Sequence, residues 1–136
     1  MTTMNPRALP DGGQSKEKGV FDISALDSIT KHNPTQRKVL IALVTSLTTT
    51  SRAELSHSLA LLQAGEEAMA LKILHTLRGA VGNLGAKRFA EATIAIERAV
   101  HAQAENVALH FNAASAELSR TMTLAEIWIA NSSSSE

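Results

Sequence analysis

The stretch Ala70 to Ala86, ALKILHTLRGAVGNLGA, decides how this chain is read. Its apolar residues recur at helical spacing, so we place it on a wheel at about 100° per residue. With His75 at zero, Ile73, Leu77 and Leu84 fall about 160–200° away. Ala70, Ala80 and Val81 flank that direction, so the core face lies opposite His75 and the imidazole points outward. Ala68, Leu71, Lys72, Gly79 and Gly82 share the outer face, and Arg78 sits at its edge. Two of these residues are unusual choices. A glycine inside a helix costs about 1 kcal/mol relative to alanine. Gly79 and Gly82 remove side chains one and two turns beyond the histidine, and leave room for something bulky to approach the ring.

The rest of the chain supports a helical setting. Alanine and leucine dominate, aromatic residues make up 3%, and the only proline after residue 19 is Pro34. Strand-like alternation is hard to find. Asp22 is placed to cap a short helix over about Ile23 to Ser28. Asn33-Pro34 is a start signal, a capping side chain followed by proline at the first helical position. From there Leu40, Leu43, Val44, Leu47, Leu55, Leu59 and Leu62 form one apolar stripe as far as Gly65. The stripe keeps its phase through Thr48, Thr49 and Thr50, which predicts one long helix. A second long helix is expected from about Glu66 to Leu84, ended by Gly85, and a third from about Lys87 to Ala104. A fourth starts near Asn106, with Phe111, Leu118, Met122, Ala125 and Ile129 along its seam. Four long amphipathic helices with short connections predict an all-α fold, an antiparallel (up-down) four-helix bundle. The short first helix would cover one end, with Phe21 or Leu26 plugging it. Residues 1–19, rich in proline and glycine, read as a flexible tail or linker, residues 20–130 as the bundle, and residues 131–136, a serine run, as a disordered tail.

Composition removes several functions. Lys+Arg and Asp+Glu each total 13, a balance that argues against nucleic-acid binding, which draws on excess basic charge. There is no cysteine, which excludes disulfides, thiolate metal sites and a cysteine nucleophile. No apolar run is long enough for a membrane span, and the N-terminus lacks the apolar segment of a secretion signal. A cytoplasmic protein, or a domain of a membrane-bound one, is the expectation. The five histidines show no i, i+4 metal-binding pattern, so no metal site is expected. His32, His57, His101 and His110 read as ordinary surface or edge residues, and Phe89, Phe111 and Trp128 as core.

The chemistry on the outer face of the second long helix suits a phosphoryl carrier. Histidine is a nucleophile near neutral pH, and a phosphoryl group on its ring nitrogen is held by a labile P–N bond that allows it to be passed on. Lys72 and Arg78, three residues before and after His75, are placed to stabilise phosphoryl oxygens. No carboxylate lies on this face within a turn of His75 to act as a base for hydrolysis, so the carrier need only be chemically passive. The ordinary alternative is a solvated histidine on a structural bundle. The alternative for the glycines is that the helix ends early or packs closely against a neighbour.

These residues also resemble a known family, the histidine-containing phosphotransfer (HPt) domains. Their motif has the form H-x-[LI]-K-G-x-x-x-x-[LIVM]-G around the phosphorylated histidine. Here it reads His75, Thr76, Leu77, Arg78, Gly79, Ala80, Val81, Gly82, Asn83, Leu84, Gly85. The stretch FDISAL at Phe21 to Leu26 is similar to the opening of many members, and length and helix order match over about residues 20 to 130. The resemblance implies phosphorylation of His75 on Nε2 and exchange with aspartates of receiver domains, in a hybrid sensor kinase or a response regulator. It implies no resident cofactor, with Mg²⁺ held by the receiver, and a phosphocarrier rather than an enzyme with its own ATP-binding core. Ala68, Leu71, Gly79 and Gly82 would dock the partner, and a monomer is expected. One departure is visible: Arg78 replaces the usual lysine, which keeps charge but changes geometry. A kinase dimerisation domain fits less well, because Thr76 follows the histidine where an acidic residue is usual. A non-phosphorylated adaptor, binding through the Leu71/His75/Gly79 face, is the remaining alternative.

Overall fold

The computed structural model describes residues 18–134, and among these the chain is all-helical. Five helices follow in order: α1 (Ser24–Thr30), α2 (Pro34–Gln63), α3 (Glu67–Gly82), α4 (Lys87–His101) and α5 (Val107–Ser134). α2 begins as the Asn33-Pro34 pair predicts. Asn33 Oδ1 accepts from the Gln36 amide at 3.1 Å, and Pro34 fills a position where its missing N–H costs nothing. The threonine stretch does not interrupt the helix. The hydroxyls of Thr45, Thr48, Thr49 and Thr50 each donate to a carbonyl one turn back, which gives these β-branched residues a local partner. The helix ends where Gly65 takes a φ of +84°.

Each of the four long helices packs against two others. α2 lies on α3 and α5, and α4 lies on the same two, while α1 packs on α2. Arg37, early in α2, reaches Ser132, late in α5, and Arg52 faces Glu126. At 1.5 Å per residue α2 and α5 are about 45 and 42 Å long, and α3 and α4 only about 24 and 22 Å. α3 and α4 therefore cover about half of the longer pair. The segment before α2 covers much of the rest. Val20, Phe21 and Ile23 are buried in the core, and Leu26 packs against it. Backbone contacts secure this segment. The Asp22 amide donates to the Leu84 carbonyl at 2.7 Å, Arg88 to that of Gly19 at 2.9 Å, and the Thr121 hydroxyl to that of Val20 at 2.7 Å.

The core contains Leu74, Leu77, Val81, Phe89, Ile96 and Leu118, none more than 2% exposed. Burial of each such side chain contributes about 1.5–3 kcal/mol. Phe89 and Phe111 are buried as expected, whereas Trp128 is half-buried beneath the Arg37 guanidinium, 5.3 Å from the ring centre.

Both expected tail boundaries move. α5 continues to Ser134, so residues 131–134 are helical rather than a frayed serine tail. Ser132 is buried and within 3.4 Å of Arg37, a contact that the composition of the run does not announce. At the other end the tail is expected over residues 1–19, but Lys18 and Gly19 belong to the folded part, and residues 1–17 lie outside the described residues. No helix among the described residues is long and apolar enough to cross a membrane.

Candidate functional site

α3 presents His75 at the ninth of its sixteen positions, exposed to solvent. The buried stripe of α3 runs through Ala70, Leu74, Leu77 and Val81. Its centre is rotated about 50° from the direction opposite His75, toward Leu74. The wheel placed Ile73 at the centre of the core face, but it is only half-buried. The rotation separates the expected outer face into two parts. Ala68, Lys72, Gly79 and Gly82 remain exposed around His75. Leu71 and Arg78 lie on the side that turns inward, and both are half-buried. Leu71 packs against the core rather than standing free for a partner.

The two glycines are open. A Cβ built on Gly79 or Gly82 meets nothing within 4 Å, so close packing does not explain either. α3 ends at Gly82 rather than at the expected Leu84, so an early helix end accounts for Gly82, while Gly79 lies inside the helix. Gly85, the last glycine of the motif, has a different task. Its φ is +75°, and a Cβ there would lie 2.7 Å from the backbone of Asp22. It forms the turn after α3 and lets the segment before α1 cross it. Asp22 is held there by Ser24, whose hydroxyl and amide donate to its carboxylate at 2.6 and 3.0 Å. These bonds, with a smaller contribution from the Lys87 charge, lower the Asp22 pKa from its ordinary 3.8.

Arg78 does not extend freely beside the ring. Its Nη1 pairs with Glu97 of α4 at 2.8 Å and approaches the Thr93 hydroxyl at 3.4 Å. Its Nη2 lies 2.9 Å from His75 Nδ1. Arg78 therefore bridges α4 to the imidazole. Lys72 has no ion pair among the described residues and stays solvent-exposed. Glu97 and Thr93 escape a reading confined to the helix of His75. That no carboxylate lies within a turn on α3 holds, but α4 brings one to Arg78. The available signal is the i, i+4 spacing of Thr93 and Glu97 beside the apolar positions Phe89, Ile96 and Val100. It identifies a polar edge on α4 but not what that edge faces.

Among the described residues no group of three or more His, Asp or Glu side chains is arranged to hold a metal ion. Compared with models of known protein families, with curated proteins and with solved structures, the chain matches none of them.

Proposed function

We propose that this chain is a phosphorelay intermediate. In this reading His75 accepts a phosphoryl group on Nε2 from the aspartate of one receiver domain and passes it to another. The observation that carries the reading is the exposed imidazole at the middle of α3, with two open glycines following it on the same face. A helix gains nothing in stability from an interior glycine that touches nothing, so the value of Gly79 lies in what approaches from outside. A receiver must bring the phosphoryl group on its aspartate to within bonding distance of the ring, and bulk at residues 79 and 82 would stand in the way.

The same reading completes the architecture as an up-down four-helix bundle, capped by α1, in which α3 is one of four staves. Ala68, Gly79 and Gly82 form the docking surface, with Leu71 contributing only its exposed part. Lys72 is the cation free to meet the phosphoryl oxygens, and Arg78 joins it after leaving Nδ1. The protein supplies the nucleophile and the receiver supplies the metal, so no resident cofactor is required. The adaptor reading uses the same face without chemistry, but the half-burial of Leu71 reduces the apolar surface available to it.

The test is transfer from a phosphorylated receiver domain in the presence of Mg²⁺, followed as acid-labile, alkali-stable phosphate on wild type and His75→Gln. Label on wild type alone is expected. Label on neither protein across several receivers would replace the relay with the adaptor.

A further inference from the structure

An arginine side chain carries N–H donors and no acceptor. The 2.9 Å contact between Arg78 Nη2 and His75 Nδ1 therefore has one sense, with the guanidinium donating and Nδ1 accepting. A neutral imidazole has a single ring proton, so an accepting Nδ1 leaves that proton on Nε2. In this tautomer Nε2 has no in-plane lone pair to offer. Attack on phosphorus from Nε2 needs the other tautomer, with the proton on Nδ1, where Arg78 now donates.

The guanidinium is fixed from its far side. Nη1 is paired with the Glu97 carboxylate at 2.8 Å, and both partners are half-buried, with 19% and 23% of their side chains exposed. A planar cation whose one edge is anchored to α4 and whose other edge meets the ring has little freedom to turn. Lysine, a single ammonium on a flexible stem, does not combine these two contacts in one plane.

On the reading of His75 as a phosphocarrier, we propose that Glu97 and Arg78 form a tautomer latch. Glu97 is a positioning residue that holds Arg78 on Nδ1, and Arg78 keeps the resting ring closed to phosphorylation until it leaves. In the transfer step the ring proton is on Nδ1 and the Nε2 lone pair forms the new N–P bond. The bond from phosphorus to the donor's leaving atom breaks, and its electron pair stays on that atom. The ring emerges as an Nδ1-protonated phosphoimidazolium and loses this proton to solvent. Nδ1 is then an acceptor again, and Arg78 can return to it. The return also protects the product. Imidazole leaves phosphorus most readily when Nδ1 is protonated, because it then departs as a neutral molecule, and a guanidinium on Nδ1 opposes that protonation. One contact thus slows both entry of the phosphoryl group and its accidental loss.

The experiment needs no partner protein. Two-bond ¹H–¹⁵N correlation spectra of protein with ¹⁵N-labelled histidine, recorded where His75 is neutral, report which ring nitrogen carries the proton. Phosphoramidate, which donates its phosphoryl group with loss of ammonia, measures the reactivity of the ring directly. Wild type is expected to show only the Nε2–H ring. Glu97→Gln, which keeps the Arg78 charge, and Arg78→Ala are expected to show a share of the Nδ1–H form. Phosphorylation of Glu97→Gln by phosphoramidate is expected to be about tenfold faster, in line with loss of a hydrogen bond from a charged donor. Its phosphorylated form should also hydrolyse faster, and Glu97→Asp should recover part of the wild-type behaviour. A wild-type ring with its proton on Nδ1 would overturn the latch, as would Glu97→Gln with an unchanged spectrum and rate. A wild-type protein with the Nε2–H ring and slow phosphoramidate labelling, released in Glu97→Gln, that takes nothing from any receiver would refute the relay and leave the latch standing.

Discussion

Gly79 separates stability from function more cleanly than any other position near His75. Its added Cβ meets no atom, so Gly79→Ala should stabilise the protein by about 0.5–1 kcal/mol through helix propensity alone. Gly79→Leu should fold at least as well as wild type yet accept phosphoryl groups from a receiver at least tenfold more slowly. Thermal denaturation and transfer kinetics on the same samples check both, and a Leu variant with wild-type transfer would show that partners do not use this space. Asp22 offers a test by pH. Its pKa is lowered in the folded state by Ser24. The associated stability is therefore present above the ordinary carboxylate range and is lost as pH falls through the depressed value. Urea titrations from neutral to acid pH should find wild type more stable than Asp22→Asn near neutrality, with the gap closing only below about pH 4.

The turn between α3 and α4 tests how the elements are joined. Gly85→Ala places a methyl group 2.7 Å from the Asp22 backbone at a φ of +75°, so both the turn and the crossing segment must shift. It should destabilise by about 1–3 kcal/mol, the usual cost of a strained backbone position, and an unfolding midpoint equal to that of wild type would contradict the crossing. Asn33→Ala, which removes only the α2 cap, should cost about 1 kcal/mol. Helix number, order and most boundaries were legible in the sequence, because caps, glycines and apolar spacing are local signals. The outward direction of His75 was legible for the same reason. The tilt of the core face of α3 toward Leu74 was not. That tilt depends on where α4 lies against α3, and it moved Leu71 and Arg78 from the open face to the seam. Glu97 was hidden for the same reason, since its partner belongs to another helix.

At the scale of the molecule, the two long helices continue beyond the two short ones, and four large apolar side chains lie exposed on or beside that extension. These are Ile29, Val39, Leu43 and Ile127, each between 45% and 69% exposed. Phe89 lies instead in the core, fully buried at the start of α4. Phe89→Ala should cost about 3–5 kcal/mol, enough to leave a marginal domain partly unfolded at ambient temperature, and denaturant unfolding measures it. The mismatch in helix length also governs how the molecule turns in solution. A body about 45 Å long and two helices thick spins about its axis faster than it tumbles end over end. Its helical N–H bonds lie near that axis, so their ¹⁵N transverse relaxation should report the slow motion. Because His75 sits midway along α3, on the flank, the fast spin alone sweeps it past a partner lying alongside. In a side-on encounter, the search for the imidazole becomes a rotation about one axis.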